Sequence, residues 1–248
     1  MPRLIDLTLP LREGSRGIAW EPARTLEKDG WNARTLHLYS HAGTHMDAPV
    51  HFGVGTQTID QIPLQSCMGR AHLADLTPTQ PSALLSVAAL GETAEQVEAG
   101  DMLLLRTDWS RFAQETDGKT YRDALPRISE ELAHWCVRRG VKLLGVEPPS
   151  VADVHQLPEV TRIHRILFEG GVVIVEGLRG LDLIRNSPCF FAALPLPVTG
   201  GDGCLCRAFA IDDVTPETTL ADLWKILQGS PTDSREPNPT TSTETTPA

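Results

Sequence analysis

The segment His41-Ala42-Gly43-Thr44-His45-Met46-Asp47-Ala48-Pro49-Val50-His51-Phe52 places three imidazoles and a carboxylate in twelve residues. With His37 it gathers four of the chain's eight histidines into fifteen residues, where even scattering would leave about half of one. Imidazole and carboxylate together form the ligand set that suits zinc, iron or manganese. An i, i+4 pair of histidines fits a helix, as in the zinc proteases. Here Gly43, the β-branched Thr44 and Pro49 disfavour a continuous helix, and the Glu of a helical HExxH motif is missing. In an extended segment His41, His45, Asp47 and His51 share parity and project to one side. Ten extended residues span roughly 33 Å, far more than a coordination sphere, so bends are expected at Gly43, Pro49 and Gly53. Burying these groups together is costly without a compensating charge, and a divalent cation supplies one. A lone histidine such as His37 or His72 reads instead as a satisfied structural residue.

Around this segment the text alternates between short apolar runs and helical patterns. Residues 4–9 and 33–39 alternate like strands, and 102–107, 142–146 and 172–176 read as short buried strands. Ser129 is placed to cap a helix over 130–139 that ends at Gly140, and a second helix is expected over 160–168, stopped by Gly170-Gly171. The early strands follow one another closely, which argues for an α/β body with a mixed sheet. Residues 1–228 carry no linker and read as one domain. The segment 229–248 has no large apolar residue and is expected to be a disordered tail rich in Ser, Thr and Pro.

Composition narrows the partners. The 248 residues carry Lys+Arg 22 against Asp+Glu 32, a net charge of -10, which disfavours nucleic acid and anionic lipid surfaces. No apolar run approaches the roughly 18 residues of a membrane span, and the N-terminus has no leader pattern, so a cytoplasmic protein is expected. Five scattered cysteines do not make a disulfide framework; Cys204 and Cys206 lack the spacing of a zinc knuckle and read as core packing. A small molecule is the expected partner.

The run His41-x-Gly43-Thr44-His45-x-Asp47-x-Pro49-x-His51-Phe52 resembles the signature of the metal-dependent cyclase-like hydrolases, a family that includes bacterial kynurenine formamidases and isatin hydrolases. Family-like stretches extend the resemblance over most of residues 1–212: Ile5-Asp6-Leu7-Thr8, Leu105-Arg106-Thr107-Asp108-Trp109, Gly145-Val146-Glu147-Pro148-Pro149-Ser150 and residues 194–210. The resemblance implies a swivelling β/β/α domain that assembles as a dimer or higher oligomer. It also implies that His41, His45 and Asp47 are metal ligands, with Asp47 able to bridge two ions, and that His51 is the general acid/base. The family's further ligands are a His on a helix and a Glu twelve residues later, a spacing kept by His164 and Glu176. Glu176 also closes the apolar run Val172-Val173-Ile174-Val175, a position from which a sheet can deliver a ligand to a cleft. The family's upstream aromatic has its nearest counterpart in Trp20 of Trp20-Glu21-Pro22, a candidate substrate contact that could equally close the edge of the core. The stretch Cys204-Leu205-Cys206-Arg207 departs from the small-residue and proline text usual in the family.

The implied chemistry is hydrolysis of an amide C–N bond, in an aryl formamide such as N-formylkynurenine or a cyclic amide such as isatin. One or two divalent ions are expected, zinc first and manganese second. Such an ion brings the pKa of its water from 15.7 toward about 7, and an uncoordinated His51 has the ordinary pKa to shuttle the proton. The chain has no Gly-x-Ser-x-Gly elbow to suggest a serine nucleophile. The same site could open a lactone or ester or catalyse a cyclisation. A non-catalytic metal-binding or sensor protein is the alternative from another class; it would have a saturated site and unfold under a chelator.

Overall fold

The computed structural model describes residues 2–114, 119–214 and 218, so the expected tail at 229–248 lies outside the described residues. The strands are β1 (Arg3–Asp6), β2 (Ile18–Arg24), β3 (Ala33–Leu38), β4 (His45–Asp47), β5 (Met68–Asp75), β6 (Leu84–Leu85), β7 (Met102–Arg106), β8 (Arg127–Ile128), β9 (Leu143–Val146), β10 (Val173–Glu176), β11 (Cys189–Pro195) and β12 (Gly203–Asp212). Eight of them form one mixed sheet in the order β1-β12-β11-β5-β7-β9-β10-β4. Because β4 also pairs with β12, the sheet closes on itself like a barrel. The fold is therefore mixed α/β, as expected, built on a sheet that closes like a barrel.

The run Met102-Leu103-Leu104-Leu105 shows how the layers are built. All four side chains are fully buried, which is the mark of a strand covered on both faces. Met102 and Leu104 join Met46, Val175, Phe191, Cys206 and Ala208 inside the closed sheet. Leu103 and Leu105 point the other way, against Leu132, Cys136, Ile163 and Leu167 of two helices. Full burial of each such side chain contributes about 1.5–3 kcal/mol. Cys204 and Cys206 are buried within the inner cluster as free thiols, in keeping with a packing role.

Those two helices are Glu130–Arg139 and Leu157–Glu169. In the first, the Ser129 hydroxyl accepts from the Leu132 N–H at 3.1 Å, and Gly140 closes the helix at φ 74°. The second begins three residues earlier than the apolar pattern suggests, because Pro158 sits in the first turn, where its missing N–H costs nothing. Its buried stripe of Val160, Ile163, His164, Leu167 and Phe168 lies over the outer face of the sheet. The expected strand at 4–9 is β1 followed by an isolated bridge from Thr8 to Leu178. The strand expected at 33–39 is β3, paired with β2 in a separate hairpin whose side chains are mostly exposed. No helix among the described residues is long and apolar enough to cross a membrane.

Candidate metal centre

β4 has three residues, all buried. Strand alternation sends Met46 into the inner core and turns His45 and Asp47 outward. Its antiparallel register with β10 sets Glu176 opposite His45 and Ile174 opposite Asp47. The outward face of the two strands thus carries one imidazole, two carboxylates and an isoleucine. The 157–169 helix covers that face, and the buried position 164 of its stripe adds a second imidazole.

His41 stands before β4 across a turn in which Gly43 takes φ +59°, a left-handed conformation that glycine adopts without strain. After β4, Pro49 starts a short 3₁₀ helix, Pro49–Phe52, ended by Gly53 at φ 67°. The bends expected at these three residues are all present. They bring the His51 ring into a stack on His41 at 3.9 Å, and the Phe52 ring onto His164 at 4.2 Å. Gly203, at the start of β12, lies against His41: a Cβ there would stand 2.6 Å from the imidazole Cε1, so the ring needs a glycine beneath it.

The donor atoms converge. Asp47 Oδ1 lies 2.7 Å from His41 Nδ1 and 3.5 Å from His45 Nε2, and Asp47 Oδ2 lies 3.5 Å from His164 Nε2. Glu176 meets His45 Nε2 at 3.2 Å and His164 Nε2 at 3.5 Å. The two innermost histidines have defined tautomers when neutral. His45 Nδ1–H donates to the Gly43 carbonyl at 2.9 Å and His164 Nδ1–H to the Val160 carbonyl at 2.7 Å, so each turns an Nε2 lone pair toward the carboxylates. Lone pairs facing lone pairs across a buried cluster suit a cation between them, and this donor set fits a divalent metal. The same field shapes the titration. Burial disfavours the charged imidazoles, yet Asp47 and then Asp202 lift His41 to about 9, and Asp47 with Glu176 lifts His164 to about 9. His51 goes the other way: burial leads, and its pKa falls below the ordinary histidine value.

Five of the residues singled out in the sequence, His41, His45, Asp47, His164 and Glu176, are thus joined in one cluster with Asp47 common to both halves, and His51 stands beside them. Trp20 is not brought to the cluster by any described contact; its ring, on β2, lies 5.5 Å from the Arg34 guanidinium. Three further features escaped the sequence reading. Asp202 Oδ2 stands 3.1 Å from His41 Nε2 and 3.6 Å from His51 Nδ1. Tyr39, half exposed, sets its ring 5.6 Å from that of His41. Glu147, buried, accepts from the Thr107 and Trp109 N–H groups and the Thr107 and Ser110 hydroxyls, which ties the two family-like stretches at 105–109 and 145–150 together. Nearby, the Val151 N–H donates to Glu176 Oε1 at 2.7 Å.

A profile of the putative cyclase family matches residues 5–153, the stretch that supplies His41, His45, Asp47 and His51. The chain belongs to the cyclase family. Among curated relatives of this cyclase-family chain, the kynurenine formamidase of Salinibacter ruber is 32% identical over 204 residues, covering 79% of this chain and 88% of that one. The kynurenine formamidase of Bacillus cytotoxicus is 29% identical over 211 residues, covering 82% and 95%. Isatin hydrolase A from Ralstonia solanacearum shares the fold, with a TM-score of 0.75 at 23% identity over 86% of this chain and 92% of that one. The expected family, fold and hydrolase class agree with these relatives.

Proposed function

We propose that the protein is a metal-dependent amide hydrolase that cleaves the C–N bond of an aryl formamide or a cyclic amide. The supporting observation is the pair of fixed Nε2 lone pairs on His45 and His164 converging on Asp47 and Glu176, with His51 close by outside that set. The names of the curated relatives support the choice of a formamide. In this reading His41, His45, Asp47, His164 and Glu176 hold one or two divalent cations, zinc before manganese. The bound cation supplies Lewis acidity toward the carbonyl oxygen and acidifies water.

The chain's own residues do the rest. His51 takes a proton from the attacking water and returns it to the leaving nitrogen, and its lowered pKa keeps it in the basic form at neutral pH. Phe52, stacked on His164, keeps one side of the cluster dry. Tyr39, beside His41, is the aromatic surface offered to an aryl group, and Trp20, on β2, is a candidate contact on the strength of the resemblance alone. The exposed Leu26, Trp31 and Leu36 around that hairpin support self-association of the chain.

The test is metal analysis of the purified protein, coupled to assays of N-formylkynurenine, isatin and a simple aryl ester. Stoichiometric zinc or manganese with turnover of one of the two amides is expected. A metal-free protein with full activity in excess EDTA would refute the reading, and turnover of the ester alone would move the substrate class to esters.

A further inference from the structure

Asp202 belongs to β4 as much as to its own loop. Its carbonyl accepts from the Ala48 N–H at 2.9 Å, directly after Asp47, so the approach of β12 to β4 fixes its position. Its carboxylate is half exposed at the rim of the cluster. One oxygen, Oδ2, faces both His41 Nε2 and His51 Nδ1, and those two rings are stacked on each other.

Asp202, His41 and His51 also converge closely enough to suggest a cation site of their own. Simple imidazole chemistry argues against that use. A neutral imidazole has one lone pair and one N–H. His41 Nδ1 lies at hydrogen-bond distance from Asp47 and Nε2 at hydrogen-bond distance from Asp202; once a metal takes the Nδ1 lone pair, the one hydrogen left on the ring is on Nε2 and is donated to Asp202. His41 cannot offer a second lone pair there. The contact is a hydrogen bond from a ligand to an outer carboxylate, the arrangement that orients metal-bound imidazoles and strengthens them as ligands.

We propose that Asp202 is a positioning residue that sets the tautomers of two imidazoles with different tasks. It holds His41 as an Nδ1 ligand, and it holds the hydrogen of His51 on Nδ1, leaving Nε2 as the free base. At 3.6 Å the second contact is an electrostatic bias, whereas the 3.1 Å contact is a hydrogen bond. Placing the same negative oxygen beside both rings couples the metal ligand to the proton shuttle without Asp202 touching the substrate. The proposal rests on the metal-hydrolase reading above.

The experiment uses zinc-loaded protein labelled with ¹⁵N at histidine, in unaltered form and as Asp202→Ala and Asp202→Asn. It reads imidazole tautomers by NMR, zinc affinity against a competing chelator, and kcat and KM on N-formylkynurenine. The unaltered protein should show His51 with its hydrogen on Nδ1. Asp202→Ala should mix the His51 tautomers and lower zinc affinity and kcat by about 10–100-fold each, with KM changed far less. Asp202→Asn, whose amide oxygen still accepts from His41, should recover most of the zinc affinity. A His51 hydrogen on Nε2 in the unaltered protein, or tautomers and zinc affinity untouched by Asp202→Ala, overturns the proposal alone. Failure of the unaltered protein to bind zinc or manganese overturns the metal-hydrolase reading and this proposal with it. Binding without turnover of the formamide leaves the tautomer and affinity readouts to decide the role of Asp202.

Discussion

Asp47 and Asp101 are both buried carboxylates in contact with imidazole, yet their surroundings are opposite. Asp101 accepts from Arg70 Nε at 2.7 Å, Arg70 Nη2 at 2.9 Å and the Glu98 N–H at 2.9 Å, with His72 Nε2 at 3.1 Å. A permanent cation and a backbone donor satisfy it, and nothing further is needed. Among the described residues Asp47 meets three imidazoles and no guanidinium or ammonium, and it shares two of those rings with a second carboxylate, Glu176. A self-sufficient cluster is architecture; one whose lone pairs outnumber its permanent positive charges is built to receive a cation.

The largest effect expected from breaking this contrast is at Asp47. Asp47→Ala should lose the metal and reduce hydrolysis by about 10³-fold or more, the equivalent of several kcal/mol of charge stabilisation. It should also abolish the rise in thermal stability on adding zinc, which for intact protein is about 2.7 kcal/mol at 100 times Kd. Asp101→Ala should leave both properties in place, as metal titration followed by calorimetry will show.

Next comes His51. His51→Ala should keep the metal while turnover falls about 10²–10⁴-fold, the range for a lost general acid/base. Metal and rate falling together would make His51 a ligand instead.

A smaller effect, of another kind, is expected at Asp101. Breaking a buried pair costs about 3–5 kcal/mol, but Arg70 is half exposed and solvent screens it, so Asp101→Ala should cost about 1–3 kcal/mol in denaturant melts.

The smallest is a pH dependence. Burial alone would raise the Asp101 carboxyl, but the Arg70 hydrogen bonds, then the Glu98 N–H, hold it below its ordinary value. A carboxyl with a depressed folded pKa binds fewer protons folded than unfolded, so its contribution is present above the unfolded value of about 3.9. It is lost as the pH falls through the folded value. Asp101→Asn should therefore lessen the loss of stability below about pH 4, and an unchanged slope in acid denaturation would show that Asp101 does not titrate with folding.

Much of the site was legible because its ligands lie close together in the chain. His41, His45, Asp47 and His51 announce themselves by density, and Gly43, Pro49 and Gly53 mark the bends that the structure contains. His164 and Glu176 depended on the resemblance: a histidine in a helical stripe and a glutamate after an apolar run have ordinary structural explanations. Asp202 was illegible for a different reason. It is one carboxylate in the glycine turn Gly200-Gly201-Asp202-Gly203, and nothing local says that this turn lies beside residue 48. Gly203 was in plain view, but the imidazole that forbids a Cβ there comes from 162 residues earlier. The β2 strand was missed as the partner of β3, since its Trp20-Glu21-Pro22 text carries a proline and gives little alternation.

By itself, the sequence determined the local periodicities, the buried strands such as Met102–Arg106, the capped helix Glu130–Arg139 and the presence of a ligand-rich segment, because each depends on neighbours a few residues apart. Tertiary structure alone decided that β12 returns to β4 and closes the sheet, and that Asp202 and His164 reach the same cluster from different sides. Side-chain alternation is a property of the chain. Which strand lies beside which is settled by the burial of the whole inner core, and the chemistry of the site follows from that second choice.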